Sequence, residues 1–161
     1  MPHYELLGLE LELENGKVQG RASGTMGAML NGYLSLFLQG LSKNRVVATR
    51  RGGNVYTLYQ PPVPSKAAVS DLTRKLMRMF TRAPYPSTCT LQTTNRCQAA
   101  CVHCSAAFNM AQKERQELTT DEFKNLIDQA LNLGVVNVTL SGGEPLLRED
   151  ILELIAHVDQ D

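Results

Sequence analysis

Three of the four cysteines fall within eight positions, in the run Cys97-Gln-Ala-Ala-Cys101-Val-His-Cys104. Four cysteines in 161 residues are too few for a disulfide scaffold. Thiols at C-x3-C-x2-C spacing suit one soft metal centre instead. That requirement shapes the chain around them: a short loop must follow a rigid element and fold around the metal. Residues 88–94 have strand composition, and a polar, loop-like stretch runs from the cysteines to Gln116. In a cubane iron–sulfur cluster each of four irons takes one protein ligand, so three thiolates leave one iron open to an outside ligand. Zinc is a competing reading, with His103 or Cys89 as the fourth ligand. His103 lies directly beside Cys104, which makes joint ligation of one ion awkward. Cys89 shares strand parity with Leu91 and Thr93, as a small core residue would. It could equally complete a four-cysteine electron-transfer cluster.

Downstream, Thr119 or Thr120 is placed to cap a helix, with Asp121 and Glu122 in its first turn. Phe123, Leu126, Ile127, Ala130 and Leu131 form its apolar face, and Gly134 is its stop. Residues 135–140 are a β-branched strand running into Ser141-Gly142-Gly143-Glu144-Pro145, and residues 149–158 read as a further helix. The order strand, helix, strand, helix from residue 87 predicts parallel β/α units. The Gly-Gly-Glu-Pro run has two readings. It is a strand-to-helix turn in which glycine relieves an unusual backbone angle. It is also a place where main chain and one carboxylate, Glu144, approach a ligand at the carboxyl end of a strand.

Taken together, Cys97-x3-Cys101-x2-Cys104 after a strand and Ser141-Gly142-Gly143-Glu144-Pro145 one helix later resemble the radical S-adenosylmethionine (radical SAM) enzymes. The resemblance covers about residues 86–161. It implies that Cys97, Cys101 and Cys104 bind a 4Fe-4S cluster whose fourth iron is chelated by the amino and carboxylate groups of S-adenosyl-L-methionine. It implies that Gly142, Gly143 and Glu144 contact the methionine ammonium. The implied activity is reductive cleavage to a 5′-deoxyadenosyl radical that abstracts hydrogen from a substrate, supplied by a low-potential electron donor of flavodoxin or ferredoxin type. The resemblance leaves the substrate open and assigns no protein side chain a catalytic role. Asn95 and Arg96, just before the first ligand, are placed to tune the cluster's field. Family members generally form a partial barrel of six β/α units, whereas residues 87–161 hold two. The expected fold is therefore α/β: the first part of a partial (β/α)6 barrel, from a truncated chain whose catalytic competence alone is doubtful.

The region before the barrel is expected to be a small mixed α/β extension over residues 1–64, then a basic amphipathic linker helix over 65–84, with the core at 85–161. Leu7, Leu9, Leu11 and Leu13 alternate with glycine and glutamates as in a half-buried strand, and Asn15-Gly16 is a hairpin turn leading into a return strand over 17–22. Residues 26–41 read as a helix, and 46–48 and 54–59 as short strands around Arg50-Arg51-Gly52-Gly53. Pro61-Pro62-Val63-Pro64 ends regular structure, after which Ser65 caps a helix with Val69, Leu72, Leu76, Met79 and Phe80 on one face. Arg74, Arg78 and Arg82 stripe that helix as either an ordinary solvated face or a dock for an acidic electron donor.

Sixteen Lys and Arg balance sixteen Asp and Glu, which excludes a generally basic nucleic-acid binder. The balance hides polarity, because residues 61–116 carry eight basic and two acidic side chains and residues 117–161 carry two and ten. No apolar run reaches the roughly 18 residues of a membrane span. With no basic flank or apolar stretch at the N-terminus, the expected location is cytoplasmic.

Overall fold

The computed structural model describes residues 3–6, 8–24, 27–107 and 116–158. They fall into two compact units, Met1–Ser87 and Thr88–Asp161.

The first unit opens with three antiparallel strands, β1 (His3–Leu6), β2 (Leu9–Glu14) and β3 (Lys17–Ala22), in the order β1-β2-β3. The period-two leucines do what alternation dictates: Leu9 and Leu11 are fully buried, while Glu10 on the opposite face is half-buried and Glu12 is exposed. Asn15 and Gly16 both take positive φ, the twist that a two-residue hairpin needs. The first strand was not anticipated, and Leu7 lies outside the described residues.

Helix α1 (Gly27–Ser42) buries Leu34 and Leu41. The short hairpin strands β4 (Ala48–Arg50) and β5 (Gly53–Val55) follow, offset from the expected positions. Only Arg51 and Gly52 form the turn, both at positive φ, so the strands begin closer to it. Helix α2 (Lys66–Thr81) starts where Ser65 accepts a hydrogen bond from the Ala68 amide. Its Val69, Leu72 and Leu76 enter the same core as Leu9, Leu11 and Val63. The segment read as a linker is thus a wall of the first unit, because Val69, Leu72 and Leu76 must be covered. Met79 and Phe80, read as part of that face, are exposed.

The second unit begins with β6 (Thr88–Thr94), followed by α3 (Thr120–Leu133), β7 (Asn137–Gly142), a single 3-10 turn (Pro145–Leu147) and α4 (Ile151–Val158). Strands β6 and β7 are parallel, pairing Thr88 with Asn137 and Thr94 with Gly142. This is the predicted β/α order, and the sheet is unclosed, with two strands among the described residues. Thr119 forms a capping box with Glu122, and Gly134 closes α3 in the left-handed conformation. Phe123, Ile127 and Leu154 make the core, packed by Leu91 and Leu140 from the strands. Leu126 and Leu131 stay at the rim. Of the stretch read as a loop up to Gln116, residues 108–115 lie outside the described residues.

Candidate functional site

Because β6 and β7 run parallel, the segments that leave them emerge at the same end of the sheet. One leads to Cys97, Cys101 and Cys104, the other to Gly142, Gly143 and Glu144. The two are fastened directly to each other. The Gly143 amide donates to the Thr94 carbonyl at 2.8 Å, and the Glu144 amide donates to the Arg96 carbonyl at 2.8 Å. Both glycines are required by this approach. Gly142 has φ +133°, and a Cβ there would fall 2.4 Å from the Thr94 carbonyl oxygen. A Cβ on Gly143 would lie 2.2 Å from the Arg96 carbonyl oxygen and 3.1 Å from Cys97 Cβ. The Glu144 carboxylate caps the following turn through the Leu146 amide at 3.1 Å.

The cysteine loop is partly exposed: Cys97 and Cys104 are half-buried and Cys101 is exposed, all as free thiols. The Ala99 amide points at Cys97 Sγ at 3.4 Å, and the Cys104 amide closes a turn onto the Cys101 carbonyl at 3.3 Å. Among the described residues, no three His, Cys, Asp or Glu side chains converge as a metal site. The structure therefore brings Cys97 to the glycines but does not gather the three sulfurs. As a donor set, three unbridged thiols on one loop, one already receiving an amide hydrogen bond, fit a soft metal. Cys89 is elsewhere. It pairs with Val138, five residues before Thr94, about 16 Å down the strand at the usual rise.

Two side chains that sequence reasoning missed hold the strand end in place. Glu117 Oε1 accepts from Thr94 Oγ1 at 2.6 Å and from the Asn95 amide at 2.9 Å. Burial works to raise the Glu117 carboxyl, but those bonds and the Arg96 and Arg148 charges carry it below its ordinary value. Arg148 is 7% exposed and reaches three separate segments. It donates to the Thr93 carbonyl at 3.0 Å and the Leu118 carbonyl at 2.9 Å, and forks onto Asp150 at 2.6 and 2.9 Å. Its guanidinium stacks 4.6 Å from the Phe123 ring centre. The Asp150 carboxyl falls to about 2, chiefly because of this fork. Asn95 and Arg96 contribute mainly through main chain; the Arg96 side chain is over half exposed and 4.0 Å from Glu117. A cleft of about 240 Å³ lies beside this strand end, lined by Thr93, Asn95, Glu117 and Phe123, and includes neither the cysteines nor the glycine turn.

Two fastened loops thus stand at the ends of adjacent parallel strands, one bearing the thiols and one the Gly-Gly-Glu turn. Residues 91–161 match the Radical SAM superfamily. The curated relatives of this segment include the PqqA peptide cyclase of Xanthomonas oryzae pv. oryzae strain MAFF 311018. It is 43% identical over 78 residues, 48% of this chain and 21% of that protein. The PqqA peptide cyclase of Xanthomonas euvesicatoria pv. vesicatoria is 43% identical over 75 residues, 47% of this chain and 20% of its own length. That of Xanthomonas campestris pv. campestris strain B100 is 42% identical over 74 residues, 46% and 19% respectively. The chain spans about a fifth of the length of these relatives. No solved structure matches the chain. No helix among the described residues is long and apolar enough to cross a membrane.

Proposed function

We propose that the second unit is the cofactor-binding start of a radical SAM enzyme, with Cys97, Cys101 and Cys104 holding a 4Fe-4S cluster and Gly142, Gly143 and Glu144 holding the methionine end of S-adenosylmethionine. The observation that carries this reading is the pair of amide bonds from Gly143 and Glu144 to Thr94 and Arg96, which set the glycine turn against Cys97. When bound, the two cofactors supply reductive formation of a 5′-deoxyadenosyl radical able to take hydrogen from a substrate. The chain's own residues have narrower tasks. The Ala99 amide lowers charge on the Cys97 sulfur, Glu144 offers a carboxylate to an ammonium, and Glu117 and Arg148 keep both loops in register. The curated relatives bear the name of a peptide cyclase, so a peptide is the substrate class favoured here. Arg74, Arg78 and Arg82, the first half-buried and the other two exposed along α2 and at its C-cap, are the candidate dock for an acidic flavodoxin or ferredoxin.

Oxygen-free reconstitution with iron and sulfide tests the proposal. The expected result is about four irons per chain, lost on Cys97→Ser, Cys101→Ser or Cys104→Ser, with a cluster paramagnetic-resonance spectrum that shifts when S-adenosylmethionine is added. A cluster whose spectrum ignores S-adenosylmethionine refutes the open-iron assignment, and stoichiometric zinc in place of iron refutes the cluster.

A further inference from the structure

The first unit has a groove unrelated to the cysteine site. It lies between strand β3 and helix α1, has a volume of about 680 Å³, and is lined by Val18, Leu34, Leu38, Val46 and Tyr56 with Ser35 on its wall. Strand β3 is the edge of its sheet. The hairpin register fixes which of its backbone groups face outward. Glu14 and Lys17 flank the two-residue Asn15-Gly16 turn and so exchange hydrogen bonds. Alternation then makes Leu13–Val18, Leu11–Gly20 and Leu9–Ala22 the pairs that do not. The N–H and C=O groups of Val18, Gly20 and Ala22 therefore point away from β2.

The structure treats the ends of this row differently from its middle. At one end Asn31 imitates a neighbouring strand, accepting from the Ala22 amide at 2.8 Å and donating to the Ala22 carbonyl at 3.1 Å. At the other, the Asn54 side chain donates to the Gly16 carbonyl at 3.0 Å. Val18 and Gly20 lie between, on the groove, and no described residue supplies a corresponding partner. They offer two amide donors and two carbonyl acceptors at the spacing of a strand, about 7 Å apart along it. Gly20 cannot be widened without striking Leu11 Cδ2 at 2.7 Å, so the strand is held close against its own sheet and helix.

We infer that this groove binds an extended peptide segment, which adds as a strand to the open edge of β3 and seats an apolar side chain among Leu38, Val46 and Tyr56. A backbone row selects another backbone, and the adjoining apolar cavity gives alternate side chains somewhere to go. The inference rests on the peptide substrate class proposed above and assigns that substrate a recognition surface outside the cofactor unit.

The test uses the full chain, without reconstitution. A random twelve-residue peptide library displayed on phage is selected on it, and the enriched sequence is made as a fluorescein-labelled peptide for anisotropy. Val18→Pro removes a groove-facing amide without touching the β2–β3 bonds, and Ser35→Arg crowds the groove from an exposed helix position. Val18→Pro is expected to weaken binding by about tenfold, in line with one lost backbone bond, and Ser35→Arg to weaken it at least as much by filling the groove. N-methylation of alternate peptide amides should abolish binding in one register only. Failure to enrich any peptide, or binding that survives both substitutions, overturns the inference. So does a chain that runs as a dimer through this face and dissociates on Ser35→Arg. Failure of the cofactor assignment would appear separately, as an iron content insensitive to Cys97→Ser with peptide binding intact.

Discussion

Arg148→Met is the most informative single perturbation of the second unit. Methionine keeps most of the apolar stem and removes the guanidinium. The Thr93 and Leu118 carbonyls then lose their charged donor, and Asp150, whose side chain is 18% exposed, loses its fork. Orphaning half of a buried ion pair costs about 3–5 kcal/mol, more than either carbonyl alone at about 1–3 kcal/mol. Since these penalties overlap, about 3–5 kcal/mol is the expected total. Amide exchange read on peptides covering Leu91 and Leu140 reports this unit apart from the first. The double variant with Asp150→Asn removes the stranded charge, so it should be more stable than Arg148→Met alone by about 1–2 kcal/mol. A single variant within about 1 kcal/mol of the parent, or a double variant no better than the single, refutes the claim that this pair fastens the strand ends.

Acid titration gives a related check. The depressed Asp150 carboxyl contributes stability that is fully present above about 4 and is lost as pH falls through about 2, and in Arg148→Met this acid-dependent loss should shrink as the carboxyl returns toward its ordinary value. Denaturant midpoints read by circular dichroism from about pH 5 to pH 2 would show the flatter dependence of the variant, and an acid slope as steep as the parent's would contradict it. Gly143→Ala should cost about 2–4 kcal/mol, from two broken amide bonds and a forced backbone shift, and should reduce iron loading. Normal exchange protection at Glu144 in that variant would show the approach is not needed. Cys89→Ser should leave iron per chain unchanged, because the strand carries Cys89 away from the loop. Loss of iron would reinstate a four-cysteine cluster.

The parts of the fold visible in the sequence are those that local chemistry decides. The return strand over 17–22 forms as read, because alternation and the Asn15-Gly16 turn need no distant partner, and residues 88–94 form as read from their strand composition although they pair with a strand further along the chain. The caps Ser65, Thr119 and Gly134 are legible for the same reason. Both site motifs were visible as residue types, and their fastening was not. Arg148 sits in a stretch with ten acidic side chains, where composition suggests a solvated face. Its burial depends on acceptors 55 and 30 residues away, and no periodicity encodes that. The role of α2 was missed by a related route. Its arginines suggested a solvated connector, whereas Val69, Leu72 and Leu76 bind it to a sheet formed some 60 residues earlier in the chain.

The inward-turned amides of Gly143 and Glu144 also decide what kind of charge this turn can hold. Glycine-rich turns that cradle phosphate do so with main-chain N–H groups aimed outward as a nest. Here Thr94 and Arg96 have already taken those hydrogens, so the turn is closed to oxyanions. A nucleotide's phosphates would find these two amides already taken and the Glu144 carboxylate beside them.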